Sequence, residues 1–214
     1  MANDRADLVV VGAGTVGGWA SYFAATQGAE RVLVIERGRA RIGASSRAAG
    51  IVRAQGGTAT TVGLGRWSID FYRGQQALLG TDSGFRELGY LIFAGTDDEA
   101  TVGRERVSMQ RSAGLDVEWL EPDAVVKHNP ELARDSFVGA SYLATDGCID
   151  PPRNVLAYSL AMQQAGVHLR EHTTFLGLRT ERTAGGFKLT GVETRPGRPP
   201  SITRRTTSRS SDRL

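Results

Sequence analysis

Hydrophobic residues near the start of the chain fall into two short runs with a helix-length segment between them. The run over residues 7–12, Asp-Leu-Val-Val-Val-Gly, is apolar and β-branched and ends at a glycine, which predicts a buried strand. Residues 14–28 predict a helix, and residues 31–36 predict a second buried strand. The predicted apolar face of the helix consists of Val16, Ala20, Phe23 and Ala24. These elements have the size of one βαβ unit, so the pattern predicts an open α/β sheet with parallel strands.

The segment after the second strand, as far as about Gly65, has little periodicity and is rich in glycine, alanine, serine and arginine. It predicts a long loop, and loops of this length within a compact domain are usually functional or disordered. Further along, helices are predicted over residues 67–79, 97–113 and 152–165, and Asp97 or Asp98 is expected to cap the second of them. Strands are predicted over residues 88–93, 137–144, 167–170, 173–180 and 187–194, with a turn at 184–186 between the last two.

Composition is that of an ordinary folded protein. The 214 residues are 40% hydrophobic and 7% aromatic, which is enough for one core or for one domain with part of a second. The apolar run Leu8–Val11 is too short to span a bilayer, and no secretory signal is evident, so we expect a cytoplasmic protein with no membrane span. The single cysteine, Cys148, excludes an intramolecular disulfide and a multi-cysteine metal site, and a buried structural thiol is expected there. His128, His168 and His172 are too dispersed to predict a metal site.

The net charge of +3 is unevenly distributed along the chain. Residues 195–214 contain six arginines and one acid, a charge of +5, which leaves −2 for the other 194 residues. Only Ile202 and Leu214 in this segment are hydrophobic, so it predicts a disordered basic tail. A nucleic-acid partner would require a basic face on a folded domain, and the slightly acidic body does not indicate one.

A G-x-G-x-x-G sequence lies between the first predicted strand and the predicted helix, at Gly12, Gly14 and Gly17. In this fingerprint the first glycine permits a tight turn, the second lets a pyrophosphate approach the backbone, and the third lets the helix pack closely on the strand. The helix N-terminus adds free N–H groups and a partial positive charge. Glu36 ends the second strand, where a carboxylate can accept hydrogen bonds from both ribose hydroxyls. The combination predicts a dinucleotide site.

The loop after Glu36 bears on which dinucleotide the site would hold. An acidic residue at this position disfavours the 2′-phosphate of NADP and leaves NAD and FAD. Residues 43–53 are rich in small and hydroxyl side chains, which can lie flat against a cofactor and donate hydrogen bonds to it. An NAD dehydrogenase more often continues quickly into another helix and strand, so the loop favours FAD.

Four stretches of the chain resemble one family. They are residues 11–18, Glu36 with Arg37, residues 43–50, and residues 146–151, Asp-Gly-Cys-Ile-Asp-Pro. As a set they resemble the FAD-dependent oxidoreductases of the D-amino-acid oxidase group, which includes sarcosine, glycine and dimethylglycine oxidases and dehydrogenases. Residues 82–90 look most similar to the sarcosine oxidase β-subunit type.

This resemblance implies an α/β fold in which a Rossmann-like FAD-binding domain joins the start of an antiparallel α+β substrate domain, incomplete at the C-terminus. The implied division is residues 1–80 for the first part of the FAD-binding domain, 81–148 for the substrate-domain portion, 149–194 for the return to the FAD-binding domain and 195–214 for the disordered basic tail. Family members continue beyond a strand similar to residues 186–194 into another strand that completes the FAD site. The arginine- and proline-rich residues found here instead suggest the hypothesis of a frameshift or premature end, with a natural short form as the alternative.

The resemblance also implies roles for individual residues. Gly12, Gly14 and Gly17 would hold the pyrophosphate, with Ser45 and Ser46 against the phosphates. Glu36 would bind the adenosine ribose, Arg37 would flank the adenine, and the backbone of Phe175 would meet the adenine.

On the flavin side, the resemblance implies that Gly50 and Ile51 approach the isoalloxazine. Arg53 matches an arginine near the flavin face and is the one candidate for a catalytic role, the alternative being a surface arginine. Some relatives attach flavin through a histidine, and Arg47 occupies that position here, so non-covalent FAD is expected.

The implied function is oxidation of the C–N bond of an amino acid or secondary amine, with hydride transfer to flavin and an imine product that hydrolyses. Reduced flavin would pass its electrons to oxygen, giving hydrogen peroxide, or to another electron acceptor. Two alternatives stay open at this point, a catalytically inactive dinucleotide-binding remnant and an NAD-dependent dehydrogenase.

Overall fold

The structure is a computed structural model that describes residues 5–197. The strands are β1 (Leu8–Val11), β2 (Val32–Ile35), β3 (Ile51–Val52), β4 (Arg86–Glu87), β5 (Tyr90–Ala94), β6 (Glu118–Leu120), β7 (Gly139–Leu143), β8 (Gly147–Cys148), β9 (His168–Arg170), β10 (Thr173–Thr183) and β11 (Gly186–Pro196). The helices are α1 (Thr15–Thr26), α2 (Ala59–Leu79), α3 (Asp97–Ser112), α4 (Pro122–His128) and α5 (Pro151–Gln164), with short 3-10 turns at Ala44–Arg47 and Arg134–Ser136.

The first three elements confirm the predicted βαβ unit. β1 and β2 pair in parallel, from Leu8 opposite Val32 to Val11 opposite Ile35, and α1 is the crossover between them. β9 pairs in parallel with the other side of β2, which gives the strand order β1-β2-β9. Parallel strands joined in this way bring their carboxyl ends to one edge of the sheet, and ligands bind at that edge in open α/β sheets.

The predicted apolar face of α1 is confirmed for Phe23 and Ala24, which pack half-buried against the core, and is wrong for Val16 and Ala20. Val16 is 84% exposed and Ala20 is exposed, whereas Gly18 and Trp19 are buried. The reason is the position of α5, whose Tyr158 ring occupies the space beside Gly18, so that a Cβ at residue 18 would lie 2.4 Å from the ring. Trp19 then packs in the same core as Tyr158 and the strand residues of β2.

The segment predicted as a long loop is shorter than expected. α2 begins at Ala59 rather than at residue 67, because Thr58 and Thr61 form a capping box in which each side chain binds the other residue's backbone N–H. Before α2, the segment contains the 3-10 turn at Ala44–Arg47 and the short strand β3. The first turns of α2 have no apolar periodicity, so the start of this helix could not be predicted from the sequence.

The central part of the chain forms two small antiparallel sheets, with strand orders β5-β7-β6 and β3-β8-β4. The predicted strands and the helix α3 are confirmed here, but the cap of α3 is Thr96, whose side chain accepts the N–H of Glu99 at 3.3 Å, and not Asp97 or Asp98. β3, β4, β6, β8 and α4 were not predicted, because elements of two to seven residues are too short for a periodic pattern.

The last described element is a hairpin of β10 and β11. The strands pair antiparallel from Thr183 opposite Gly186 to Thr173 opposite Pro196. The tail was predicted to be disordered from residue 195, and this is wrong for Arg195 and Pro196, because strand pairing uses backbone groups and does not require apolar side chains. Residues 198–214 of that predicted tail lie outside the described residues.

Three further expectations concern individual features. Cys148 is half-buried in β8 rather than fully buried, since it lies in a two-residue strand between β3 and β4. Across residues 5–197, no helix has both the length and the apolar character needed to cross a membrane. In the same range, no group of three or more histidine, cysteine, aspartate or glutamate side chains could hold a metal ion.

Candidate functional site

The glycine-rich turn joins β1 to α1 at the carboxyl edge of the parallel sheet. Gly12 has a φ of +98°, a left-handed conformation that favours glycine, and its N–H donates to the carbonyl of Ile35 at 2.8 Å. Gly17 lies directly on this turn, and a Cβ there would be only 2.0 Å from the Gly12 carbonyl oxygen. The first turn of α1 can therefore approach β1 only because residue 17 has no side chain.

Glu36 follows β2 and its half-buried carboxylate reaches back to the same turn. Oε2 accepts the N–H of Ala13 at 3.0 Å, and Oε1 accepts the N–H of Gly38 at 2.8 Å. A carboxylate has about four lone-pair sites, so both oxygens can still accept hydrogen bonds from a ligand. This geometry suits a ribose with two hydroxyl groups.

The start of β10 lies beside Glu36. Thr173 donates its N–H to the Glu36 carbonyl at 2.8 Å, and His172 donates to the Gly38 carbonyl at 3.0 Å. Phe175, two residues further along β10, is half-buried and opposite Thr194, while the side chain of Arg37 is exposed. The structure thus brings the predicted adenosine-side residues to one end of β2.

Tyr158 of α5 makes a hydrogen bond to the glycine-rich turn. Its hydroxyl, which is fully buried, donates to the carbonyl of Ala13 at 2.9 Å. Burial raises the pKa of Tyr158 to about 12, and the negative charge of Glu36 acts in the same direction. The neutral hydroxyl is therefore the form that the folded protein favours.

Tyr158→Phe is expected to remove a pH-dependent part of the stability. Because the pKa is raised in the folded protein, this contribution is complete below the unfolded value of about 10 and is lost as the pH rises through about 12. The free energy of unfolding of the wild type should therefore fall by up to about 2–3 kcal/mol more than that of Tyr158→Phe over this range. Denaturant unfolding at a series of pH values measures the difference, with Tyr22→Phe as the control for losing one tyrosine. If the free energies of unfolding of the wild type and of Tyr158→Phe change with pH in the same way, the raised pKa of Tyr158 is contradicted.

The 3-10 turn at Ala44–Arg47 closes over the N-terminus of α1. Ser45 Oγ accepts the N–H of Thr15 at 2.9 Å and would lie 3.0 Å from a Cβ at Gly14. Ser46 Oγ instead donates to the Gly43 carbonyl at 3.0 Å, at the start of the same 3-10 turn. Of the two predicted serines, Ser45 is the one in contact with the glycine-rich turn.

A cavity of about 530 Å³ opens next to Ser45. Its lining includes Thr15 together with Ser45, Gly50, Ile51 and Arg53, and sequence analysis expects these last four on the phosphate and flavin sides of one cofactor. Gly50 has a φ of +74°, and a Cβ there would lie 2.4 Å from the carbonyl of Ile149, so only glycine lets the chain pass this point. Ile51 is 49% exposed toward this open region.

Arg53 is an exposed side chain at the edge of this cavity. Its guanidinium carbon lies 5.7 Å from the ring centroid of Tyr90, a distance typical of a cation–π contact. Arg53 lines the same cavity as Ser45 and Gly50, and its role near the flavin stays a prediction.

Asn154 is a site residue that sequence reasoning missed. It is 1% exposed, its Nδ2 donates to Thr15 Oγ1 at 3.2 Å, and its Oδ1 accepts from Trp19 Nε1 at 3.1 Å and Ser83 Oγ at 3.0 Å. It lines the cavity and holds the first turn of α1 from the side of α5. The available signal was a polar residue in the predicted helix at 152–165, which by itself does not reveal what it faces.

Comparison with known families gives a match over residues 7–204 to the DAO family, described as FAD dependent oxidoreductase. The chain belongs to this FAD-dependent oxidoreductase family. The match includes the glycine-rich turn, Glu36 and all the residues that line the cavity. The family membership confirms the resemblance drawn from residues 11–18, 43–50 and 146–151.

Individual relatives match most of this chain and about half of their own length. Glycine oxidase from Geobacillus kaustophilus is 30% identical over 194 residues, covering 87% of this chain and 51% of that enzyme. Sarcosine oxidase subunit beta from Arthrobacter sp. is 27% identical over 197 residues, covering 88% of this chain and 48% of that subunit. This FAD-dependent oxidoreductase chain therefore spans about half the length of these relatives.

Solved structures of the family share the fold. The crystal structure of L-proline dehydrogenase from P. horikoshii has a TM-score of 0.75 at 25% identity and covers 88% of this chain and 51% of that one. The crystal structure of the Geobacillus kaustophilus glycine oxidase has a TM-score of 0.69 at 29% identity, with 87% and 53% covered. The α/β architecture with a Rossmann-type domain is thereby confirmed.

The residues present fit an FAD group. A Cβ at Gly12 would meet nothing within 4 Å, so the glycine-rich turn has open space at that point. Glu36 offers free lone pairs beside it, and the 530 Å³ cavity continues from Ser45 to Arg53. Pyrophosphate, ribose and ring system would thus each meet the chemistry that they require.

Proposed function

We propose that this chain is the cofactor-binding portion of an enzyme that oxidises the C–N bond of an amino acid or secondary amine. The observation that carries the proposal is the continuity of the site, from the carboxylate of Glu36 past the turn at Gly12 to the cavity that Arg53 borders. Adjacent subsites for an anion, a ribose and a planar ring suit FAD, and a cation at the far end suits a substrate that carries a carboxylate.

The chain's own residues would bind and orient the two reactants. The N–H groups at the start of α1 would hold the pyrophosphate, and Glu36 would accept the ribose hydroxyls, with Arg37 and the backbone of Phe175 on the adenine side. Bound FAD would supply hydride acceptance from the carbon next to the amine nitrogen, which yields an imine. Arg53 would orient the substrate by pairing with its carboxylate.

Non-covalent attachment of FAD belongs to the same proposal. Arg47 takes the place of an attachment residue, and its guanidinium Nη2 donates to the carbonyl of Ile42 at 2.9 Å. An arginine is not a nucleophile, because it stays protonated in proteins. The proposed division at residues 80, 148 and 194, a cytoplasmic location, and oxygen or another acceptor as the oxidant stay predictions.

A flavin spectrum of the purified chain tests the proposal. The expected result is a yellow protein with flavin absorbance, whose flavin passes into the supernatant after acid precipitation because no covalent bond holds it. Turnover with a panel of amino acids and secondary amines then defines the substrate. A colourless protein that binds ADP-ribose and oxidises no amine would indicate a dinucleotide-binding remnant, and nicotinamide-linked turnover would indicate an NAD-dependent dehydrogenase.

A further inference from the structure

A buried carboxylate lies directly behind the segment that carries Arg53. Asp146, between β7 and β8, is fully buried. Its Oδ1 accepts the backbone N–H of Ala54 at 2.7 Å, and its Oδ2 accepts Nε2 of Gln55 at 3.0 Å. A buried carboxylate is costly unless hydrogen bonds satisfy it, and here both oxygens bind the two residues that follow Arg53.

Gln55 extends this arrangement to the antiparallel sheet. Its side chain is buried, Nε2 also donates to the carbonyl of Tyr90 at 2.9 Å, and Oε1 accepts from Ser141 Oγ at 2.7 Å. Both Nε2 protons and the amide oxygen are therefore used, which leaves one orientation of the amide. Gln55 is thus held against β5 and β7.

Arg53 is constrained from two sides by the same network. The segment that follows Arg53 is held through Ala54, and the backbone of Tyr90, whose ring the guanidinium covers at 5.7 Å, is held through Gln55. Burial raises the pKa of Asp146, while hydrogen bonds from Ala54 and Gln55 and the positive charge of Arg53 oppose that rise. The carboxylate thus acts on Arg53 both through the backbone and through its charge.

We propose that Asp146, acting through Gln55 and Ala54, is the positioning residue that fixes the guanidinium of Arg53 at the cavity for a substrate carboxylate. The proposal rests on the proposed function, because it assumes that Arg53 pairs with that carboxylate. Asp146, its partner Gln55 and the Gln55 partner Ser141 are all absent from the residues that line the cavity.

Asp146→Asn keeps the size of the side chain and breaks the pattern of donors and acceptors. With the amide oxygen toward Ala54, the new NH₂ group meets the donor Nε2 of Gln55. Gln55 can relieve this contact only by turning its amide, which puts Oε1 against the Tyr90 carbonyl and leaves that carbonyl without its donor. The support of Arg53 through Tyr90 is then lost, while the N–H of Ala54 keeps an acceptor.

The test is an NMR titration of the full chain, in which the arginine side chains are labelled with ¹⁵N. Acetate is the titrant in one series and acetamide in the other. The Arg53 Nε signal, assigned by its absence in Arg53→Gln, reports binding with or without FAD. Asp146→Asn is expected to weaken acetate binding at Arg53 at least about fivefold. Acetamide binding and the FAD dissociation constant of this variant should stay within about twofold of the wild type. A merely structural role would weaken acetate and acetamide alike.

Ser141→Ala is the milder companion variant, since it removes only the hydroxyl at the far end of the network. It is expected to weaken acetate binding in the same direction by about twofold to threefold. Unchanged acetate binding in a folded Asp146→Asn overturns the proposal. If Asp146→Asn does not fold, unchanged acetate binding in Ser141→Ala overturns it instead. A wild type that binds acetate at Arg53 but no FAD counts against the proposed function alone, because the acetate readout does not need the cofactor.

Discussion

Gly17→Ala is expected to abolish FAD binding and to destabilise the fold. The added Cβ would lie 2.0 Å from the Gly12 carbonyl oxygen and 3.2 Å from Val10 Cγ1, so α1 must move away from β1. Overpacking of this kind usually costs about 1–3 kcal/mol, and backbone contact leaves little room for relaxation. Moving α1 also displaces the N–H groups proposed for the pyrophosphate, so we expect FAD affinity to fall by about a hundredfold or more.

Gly74→Ala is the matched control for this substitution. Gly74 lies on the exposed side of α2, and a Cβ there would meet nothing within 4 Å. Alanine in a helix interior is favoured over glycine by about 0.5–1 kcal/mol, so this variant should be as stable as the wild type or more so and should bind FAD normally. Denaturant unfolding and titration of FAD fluorescence measure both properties. Unimpaired FAD binding by Gly17→Ala would refute the proposal that the pyrophosphate binds at the glycine-rich turn.

Glu36→Gln is expected to weaken FAD binding by about tenfold to a hundredfold. The carboxylate accepts hydrogen bonds from Ala13 and Gly38 with separate oxygens, so an amide nitrogen in place of either oxygen leaves one N–H facing another donor. An unpaired buried donor costs about 1–3 kcal/mol, and the proposed hydrogen bonds to ribose lose an acceptor as well. The glycine-rich turn, which Ala13 belongs to, would also lose a support.

Glu30→Gln is the control, because Glu30 is exposed and precedes β2 at the opposite end of the strand. It makes the same change of charge without touching the turn, so FAD affinity should stay within about twofold of the wild type. Isothermal titration of FAD into each variant measures the difference. Equal affinities of Glu36→Gln and Glu30→Gln would remove Glu36 from the site.

Several parts of the fold could be predicted because their signals are local. The β-branched runs at β1 and β2, the glycine pattern between them and the position of Glu36 are all contained in 36 residues. Helix α5 could be predicted from a proline in its first turn and a glycine after its end. The start of α2 could not, because a threonine capping box and an exposed first turn leave no apolar period to read.

The apolar face of α1 shows the limit of periodicity. Val16 and Ala20 have the right spacing, but the helix turns its Gly18 and Trp19 inward because Tyr158 of α5 fits against the space that glycine leaves. Which face of a helix is buried depends on the neighbour that packs against it, and that neighbour comes from a segment about 140 residues away in the chain.

The sequence by itself determined the βαβ unit, the dinucleotide fingerprint and the family, since each rests on residues close together in the chain. The tertiary structure decided how the other side chains meet. Asn154 reaches Thr15 across 139 positions, and Asp146 reaches Ala54 across 92, and neither contact follows from any spacing in the sequence. The physical reason is that a buried polar group must find a partner wherever packing places one, and only the folded chain brings those partners together.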